Sequence, residues 1–474
     1  MAGRSISADY LIMGAGATGM AFADTVLTET EATMVLVDRR DRAGGHWNDA
    51  YPFVRLHQPA SFYGVNSASL GSGAIDQGGL NAGFHTLASG PEVVSHFDLT
   101  MRERFLTSGR VQYLPMSEVG EDRVVTSLLS GERCAVEAHT FVDASHSRMQ
   151  IPSTTPPAYA VAPGVACIPP NDLPRAAPAY DHYLVVGAGK TGMDACIWLL
   201  ENGADPAQIR WIVPRDSWTL NRADFQPGDD SFARLCRSIA DQAEAAALAD
   251  SVDDVFARLE ATDDLRRIDP GVTPEASHCA ILSDSELVQL RRIDGVVRMG
   301  RVEAIGTDEI RLEDGTIPTG PTTLHIDCSA AGIPTLPSRP VFEGDRITLQ
   351  WVRTCQPAFS AAFIGFIEAT FEDDEVKNRI CTPIVPPTVP MDWLRMYQVE
   401  LANRACWPEY PAIGGWLAES RLDLFTRSAR ARLGVDTEAT EHAMRYSGYL
   451  EQAAANIDRL LADHPTDERT EAAR

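Results

Sequence analysis

Two glycine-rich turns govern what this chain can fold into. The first, Gly14-Ala15-Gly16-Ala17-Thr18-Gly19, follows an apolar run from Tyr10 to Met13 and opens an Ala-rich helical stretch. The second, Gly187-Ala188-Gly189-Lys190-Thr191-Gly192, follows HYLVV and lies 173 residues downstream. In such a turn the first glycine permits a tight reversal, the second lets a pyrophosphate approach the backbone, and the third lets helix and strand pack closely. Free N–H groups at the helix start then hold the anion. The first helix is expected to end at Thr28 to Thr30. Strand MVLVD then closes on Asp38, 24 residues after Gly14, where a carboxylate binds a ribose diol. Gly14, Gly16, Gly19 and Asp38, with Arg39 beside the acid, make a complete dinucleotide unit.

The second turn contains Gly189-Lys190-Thr191, the tail of an ATP-binding phosphate loop, but that loop needs glycine where Leu184 stands. A dinucleotide unit remains, with Gly187, Gly189, Lys190, Thr191 and Gly192 as its cradle. Its second strand, IRWIV, runs into Val213-Pro214-Arg215-Asp216 rather than directly into an acid. An arginine there attracts a 2′-phosphate that a carboxylate would repel, so NADPH is expected over NADH, with Lys190 and Arg222 adding charge. The alternative leaves Arg215 an ordinary solvated residue. Lys190 and Lys377 are the only lysines.

The excess of acid, a formal charge of −25, argues against nucleic acid or an anionic membrane as partner. Nine dispersed cysteines with no CxxC pair fit reduced thiols in a cytoplasmic protein, and remove the close pair a disulfide reductase would use. No apolar run approaches the ~20 residues of a membrane span. No HExxH spacing or Cys/His cluster suggests a metal, and no GxSxG elbow suggests acyl transfer.

Each glycine unit has a similar sequel. Arg123 to Ser145 reads as strands joined by a Ser-Gly turn and closes on Asp143-Ala144-Ser145; Val296 to Gly332 has a hairpin at Asp314-Gly315 and closes on Asp327-Cys328-Ser329. The repetition suggests an old duplication. The expected fold is α/β, with two Rossmann-like dinucleotide-binding domains each carrying a β-meander, an arrangement that resembles the two-dinucleotide flavoproteins and by that resemblance implies FAD in one and NADP in the other. The FAD domain takes 1–170, the NAD(P) domain 171–330 with a helical insertion about 230–265, and 331–390 returns to the FAD domain. Residues 391–474 form a helical C-terminal region with a frayed tail from Asp463. The insertion either covers the substrate cleft or serves as a surface pair or homodimer contact.

The segment DRRDRAGGHWNDAYPFVRLHQPASFYGV, after the first acid, resembles the flavin-containing and Baeyer–Villiger monooxygenases, the class B flavoproteins. Asp38, Gly44, Gly45, Trp47, Tyr51 and Pro52 fit that pattern, and the likeness covers about residues 8 to 335. It implies that Asp38 binds the adenosine ribose of FAD, that Gly44 to Trp47, including His46, runs beside the flavin, and that Arg55 to Gln58 approaches the reactive edge of the isoalloxazine. Strand ends at Asp143 and Asp327 resemble the family's Ala-Thr-Gly segments, and Gly332 is assigned to the cofactor contact beyond the second. Two departures bear on oxygenation more than on flavin binding. The linker PPAYAVAPGVACIPPNDLPRAAPAY keeps Gly164 of FxGxxxHxxx(Y/F/W) but has Ile168 for its histidine, and Tyr-Pro-Gly becomes Tyr51-Pro52-Phe53.

In this architecture the flavin carries the reaction and the protein positions and shields it. His57 is the expected proton donor near neutral pH, with Gln58 and Asn48 as neutral donors, although a structural histidine is the plain alternative. The expected function is a cytoplasmic FAD- and NADPH-using monooxygenase acting on a small organic substrate with molecular oxygen. Its rivals are an NADPH-dependent flavin reductase or dehydrogenase and a non-catalytic redox sensor.

Overall fold

The computed structural model describes residues 4–462; the segment expected to fray, 463–474, lies outside them. The chain enters through β1 (Arg4–Met13), turns into α1 (Ala17–Glu29) and returns along β2 (Met34–Val37). Val111–Leu114 (β3) and Arg133–Asp143 (β4) extend the sheet in the order β4-β1-β2-β3, all parallel. Leu11, Ile12, Val35 and Leu36 are fully buried because layers cover both faces of this sheet.

The second unit repeats the plan. β5 (His182–Val186), α2 (Lys190–Glu201) and β6 (Ile209–Ile212) follow one another. After β6 the chain leaves the sheet through β7 (Ser217–Asn221), the helices α3 (Phe232–Leu248) and α4 (Val252–Ala261), and β8 (Ala276–Leu282). It comes back as β9 (Gly295–Val297) and, after a hairpin of Glu309–Leu312 with Gly315–Pro318, as β10 (Thr323–Asp327). The sheet order is β9-β6-β5-β10, with Cys167–Ile168 outside β10, and every pair is parallel. These two parallel sheets, each with a glycine turn after its central strand, constitute the expected double Rossmann-like α/β fold.

Beyond the second unit, β11 (Arg346–Thr348) joins the first sheet beside β4, and α5 (Pro357–Thr370) packs along α1. Gly365 makes that close approach possible, since a Cβ there would stand 3.1 Å from the Phe22 carbonyl oxygen. The apolar segment around Phe359 to Ile367 is therefore buried between helices and returns the chain to the first unit. The last helices, α6 (Pro390–Cys406) and α7 (Thr437–Ala462), pack on α3 and α4. Phe256, Leu259, Trp393, Leu394 and Ile457 form a third core there. No helix of the described residues is long and apolar enough to cross a membrane.

Candidate functional site

Both glycine turns have the same geometry. Gly14 and Gly187 open them at φ +108° and +117°, in the region that side chains avoid. A Cβ on Gly19 would stand 1.9 Å from the Gly14 carbonyl oxygen, and one on Gly192 2.1 Å from that of Gly187, so the third glycine is sterically required in each. Gly16 caps α1 and Gly189 caps α2, neither with a side-chain hydrogen bond. Three other helices are capped by the side chains of Ser89, Ser251 and Ser283. The two glycine-started helices thus keep their first N–H groups free of side-chain caps, which fits a pyrophosphate at each.

The loop after β2 lies across the first turn. Gly44 N–H donates to the Ala15 carbonyl at 2.9 Å, and a Cβ on Gly45 would come within 2.9 Å of Gly16 Cα. The Asp38 carboxylate is buried and accepts from Ala15 N–H (2.7 Å) and Arg40 N–H (2.9 Å). It therefore shapes the turn, while its remaining lone pairs stay available to a ribose hydroxyl. Asn48 spends its amide on the Gly45 and Ala43 carbonyls (3.0 and 3.2 Å), which makes it a brace of the double-glycine turn. Its Oδ1 is buried without a partner. Trp47 donates to Tyr63 Oη at 2.8 Å and stands beside His46, with ring centres 5.4 Å apart. Burial, helped by Arg40, pushes the His46 imidazole down to about 4, so it is neutral at pH 7. Arg39 points outward, 4.0 Å from Glu118.

At the second turn two sequence expectations change. Lys190 is not a free phosphate ligand: it forms an ion pair with Asp194, one helical turn away, and Asp194 also accepts from Tyr51 Oη at 2.6 Å. Arg222 adds no charge to the cradle, because it is fully buried against Glu286 (2.6 Å). Phe53, where the family has glycine, stacks on Trp198 of α2 at 5.5 Å and so fills the seam between the units. Arg215 is placed differently. Among the described residues no carboxylate pairs with it; the neighbouring Asp216 is held by Arg298 (2.8 Å). A cavity of about 340 Å³ opens beside it, lined by Ala188, Val213, Asp216 and Arg298. Thr191 is half-buried on the first turn of α2. Gly332 (φ +70°) accepts from Gln150 N–H at 2.7 Å, which ties the two crossing strand ends together.

His57 reaches the second unit, where its Nδ1 accepts from Ile281 N–H at 3.3 Å. Burial, with Lys190 and Arg222 nearby, drives its imidazole down to about 3. The expectation of a protonated acid near neutral pH is corrected: His57 is neutral and its Nε2–H is the donor left. Gln58 follows it in the same loop, half-buried.

Sequence reasoning missed two features. A disulfide joins Cys279 to Cys355 (Cα–Cα 6.4 Å), against the expectation of reduced thiols throughout; the other seven cysteines are free. A separation of 76 residues gave no spacing signal. The second feature is a pair of adjoining cavities at the start of α5. The inner one, about 100 Å³, is lined by Leu235, Gln356, Tyr397 and Tyr446; the outer is an apolar groove of about 1080 Å³ walled by Leu401, Trp407, Ile413 and Leu417. Arg353, Leu401, Arg404, Phe425 and Tyr446 line both.

No family model matches the chain. It is 48% identical over 421 residues to the uncharacterized proteins Rv2000 of Mycobacterium tuberculosis and Mb2023 of Mycobacterium bovis, which covers 89% of this chain and 78% of each relative. The chain belongs to the family of these mycobacterial proteins. Among solved structures it is similar to an oxidized steroid monooxygenase bound to NADP (TM-score 0.48, 13% identity, 95% of this chain and 98% of that one). It is also similar to a closed form of cyclohexanone monooxygenase (0.47, 13%, 96% and 98%) and to a flavin-containing monooxygenase from Stenotrophomonas maltophilia (0.42, 16%, 74% and 88%). These are of the flavoprotein monooxygenase class that the sequence resembles.

Proposed function

We propose that the chain is an FAD- and NADPH-dependent oxidoreductase, a monooxygenase that oxidises a small organic substrate with molecular oxygen. One observation carries the reading: two uncapped glycine cradles of matching geometry, joined through Tyr51 of the first unit and Asp194 on the helix of the second. FAD would occupy the first, with Asp38 at its ribose and Gly44 to Trp47 alongside, and NADPH the second, with Arg215 at the 2′-phosphate. Bound together, they would supply hydride transfer and oxygen activation.

The chain's own groups then have defined tasks. Trp47 and Tyr63 wall the site with apolar rings whose polar atoms already satisfy one another. His57 offers a neutral N–H rather than a proton. The apolar groove at the start of α5 is large enough to admit a small organic substrate. Purified protein supplied with NADPH in an oxygen electrode tests this: consumption of both without added substrate is the monooxygenase signature, and a strict dehydrogenase shows none.

A second reading, reduction without oxygen insertion, is favoured by Ile168. Where the class B pattern has histidine, this side chain sits in a strand paired with Ile326 and brings no polar group. A purely sensory role predicts that NADPH leaves bound flavin oxidised in stopped flow.

A further inference from the structure

Cys279 and Cys355 come from opposite halves of the molecule. Cys279 lies on β8, in the excursion from the second unit, and Cys355 immediately precedes Gln356, which starts α5 of the first. Two relationships connect the segments that carry the pair to the cradles. β11 runs parallel to β4 and β1, so α5 begins at the same sheet edge as the phosphate turn Gly14 to Gly19, the edge where parallel sheets bind ligands. Two residues beyond Cys279, Ile281 N–H bonds to His57, in the loop that carries the family-like pattern.

Gln356 Oε1 and Tyr397 Oη, on residues that line the inner cavity, are buried without protein partners. Such atoms favour a polar group that meets them.

The backbone around the cysteines is also special. Trp218 pairs with Ser277 but Leu220 pairs with Ile281, so the strand bulges at His278, Cys279 and Ala280 opposite Thr219. Cys279 and Cys355 adopt φ +55° and +54°, two of six non-glycine residues with positive φ among those described. A side chain in this region is strained, and such strain gathers at functional sites. Both sulfur-bearing residues are half-buried, whereas the free cysteines 196, 236, 328 and 381 are buried. A small thiol or disulfide has access to this pair and not to those four.

We propose that Cys279–Cys355 is a redox-active disulfide that takes electrons from the reduced flavin and passes them to low-molecular-weight disulfides. The inference rests on the cofactor half of the function proposed above and not on oxygen insertion. In the first step the S–S bond breaks and gains two electrons and two protons, giving two thiols. The reduced isoalloxazine gives up the same two electrons and its protons, and NADPH, oxidised to NADP⁺, restores it. In the second step one cysteine thiolate attacks the external disulfide and expels one thiol. The other cysteine then displaces the second thiol from the mixed disulfide and re-forms the internal bond.

The test uses holoenzyme under anaerobic conditions with excess NADPH, an alkylating quench and thiol counting by mass spectrometry under non-reducing conditions. Flavin absorbance is followed in the same sample, and turnover is measured with 2-hydroxyethyl disulfide. The expected result is bleaching accompanied by alkylation at both Cys279 and Cys355, neither of which reacts before NADPH is added. NADPH-dependent turnover of the probe should fall at least ~10-fold in Cys355→Ser and in Cys279→Ser, with retained flavin colour showing that each variant is folded. Bleaching with the pair still bonded overturns the inference while leaving the cofactor reading intact, as does finding both thiols free in the oxidised holoenzyme. Thiols that form without turnover of the probe overturn the substrate assignment. Failure to bleach at all overturns the cofactor reading, and this inference with it.

Discussion

Tyr51 donates its hydroxyl hydrogen to Asp194 Oδ2 at 2.6 Å, while Asp194 holds Lys190 on its other side. Tyr51 lies on the loop after the first cradle and Lys190 is the first residue of the second cradle's helix, so three residues join the two anion sites. Burial, with the Asp194 charge next, raises the Tyr51 phenol well above its ordinary range, so it remains a donor at any working pH. The charge of Lys190 is balanced locally by Asp194.

Removing that hydroxyl should loosen the register of the two units without emptying either. Tyr51→Phe is expected to cost about 1.5–3 kcal/mol, the usual loss of a hydrogen bond to a charged group. Thermal unfolding should show a lower Tm, and titration a several-fold weaker NADPH affinity with flavin retained. An unchanged Tm and an unchanged Kd would mean the contact orders nothing.

The third glycines separate the cofactors. Gly19→Ala forces a methyl to 1.9 Å from the Gly14 oxygen, and Gly192→Ala does the same at 2.1 Å from that of Gly187. The first variant should be isolated with little flavin. The second should stay yellow but need at least ~10-fold more NADPH for half-maximal reduction, in keeping with the 1–3 kcal/mol typical of overpacking. If Gly192→Ala loses flavin and keeps its NADPH response, the two cradles are assigned the wrong way round.

In the proposed function Arg215 would set the nicotinamide preference. A charge-assisted contact to a 2′-phosphate is worth about 1.5–3 kcal/mol, so Arg215→Ala should raise the NADPH KM by ~10–100-fold and leave the NADH KM nearly unchanged. Equal loss with both nucleotides would assign Arg215 a structural role.

His57 gives a pH prediction of definite sign. Its folded pKa, about 3, lies below the ordinary 6.5, so the folded state resists a proton that the unfolded chain accepts. The stability it contributes is fully present above about pH 6.5 and is lost as pH falls toward 3. His57→Gln should flatten part of the acid limb in a plot of unfolding free energy against pH. Activity profiles between pH 5 and 8 should show no ionisation that disappears in this variant; one that did would restore His57 as a proton donor.

Much of the architecture was legible because glycine turns, apolar strands and terminal acids obey local rules. Gly14, Gly19, Gly187 and Gly192 are fixed by contacts within a few residues. Side-chain pairing was not. Lys190 looks like a phosphate ligand in sequence, but its partner Asp194 and that residue's partner Tyr51 meet only after folding. Arg222 and Glu286 are 64 residues apart and meet through burial. Cys279 and Cys355 depend on a bulge in β8 and on where α5 begins, neither of which leaves a mark in composition or spacing.

The most direct measurement is the absorption spectrum of purified protein before and after anaerobic NADPH. A yellow preparation with flavin bands that bleach on mixing is the predicted result. Colourless protein that takes up no added FAD, or a yellow one that NADPH leaves unchanged, would contradict the claim that the two glycine turns bring nicotinamide and isoalloxazine together.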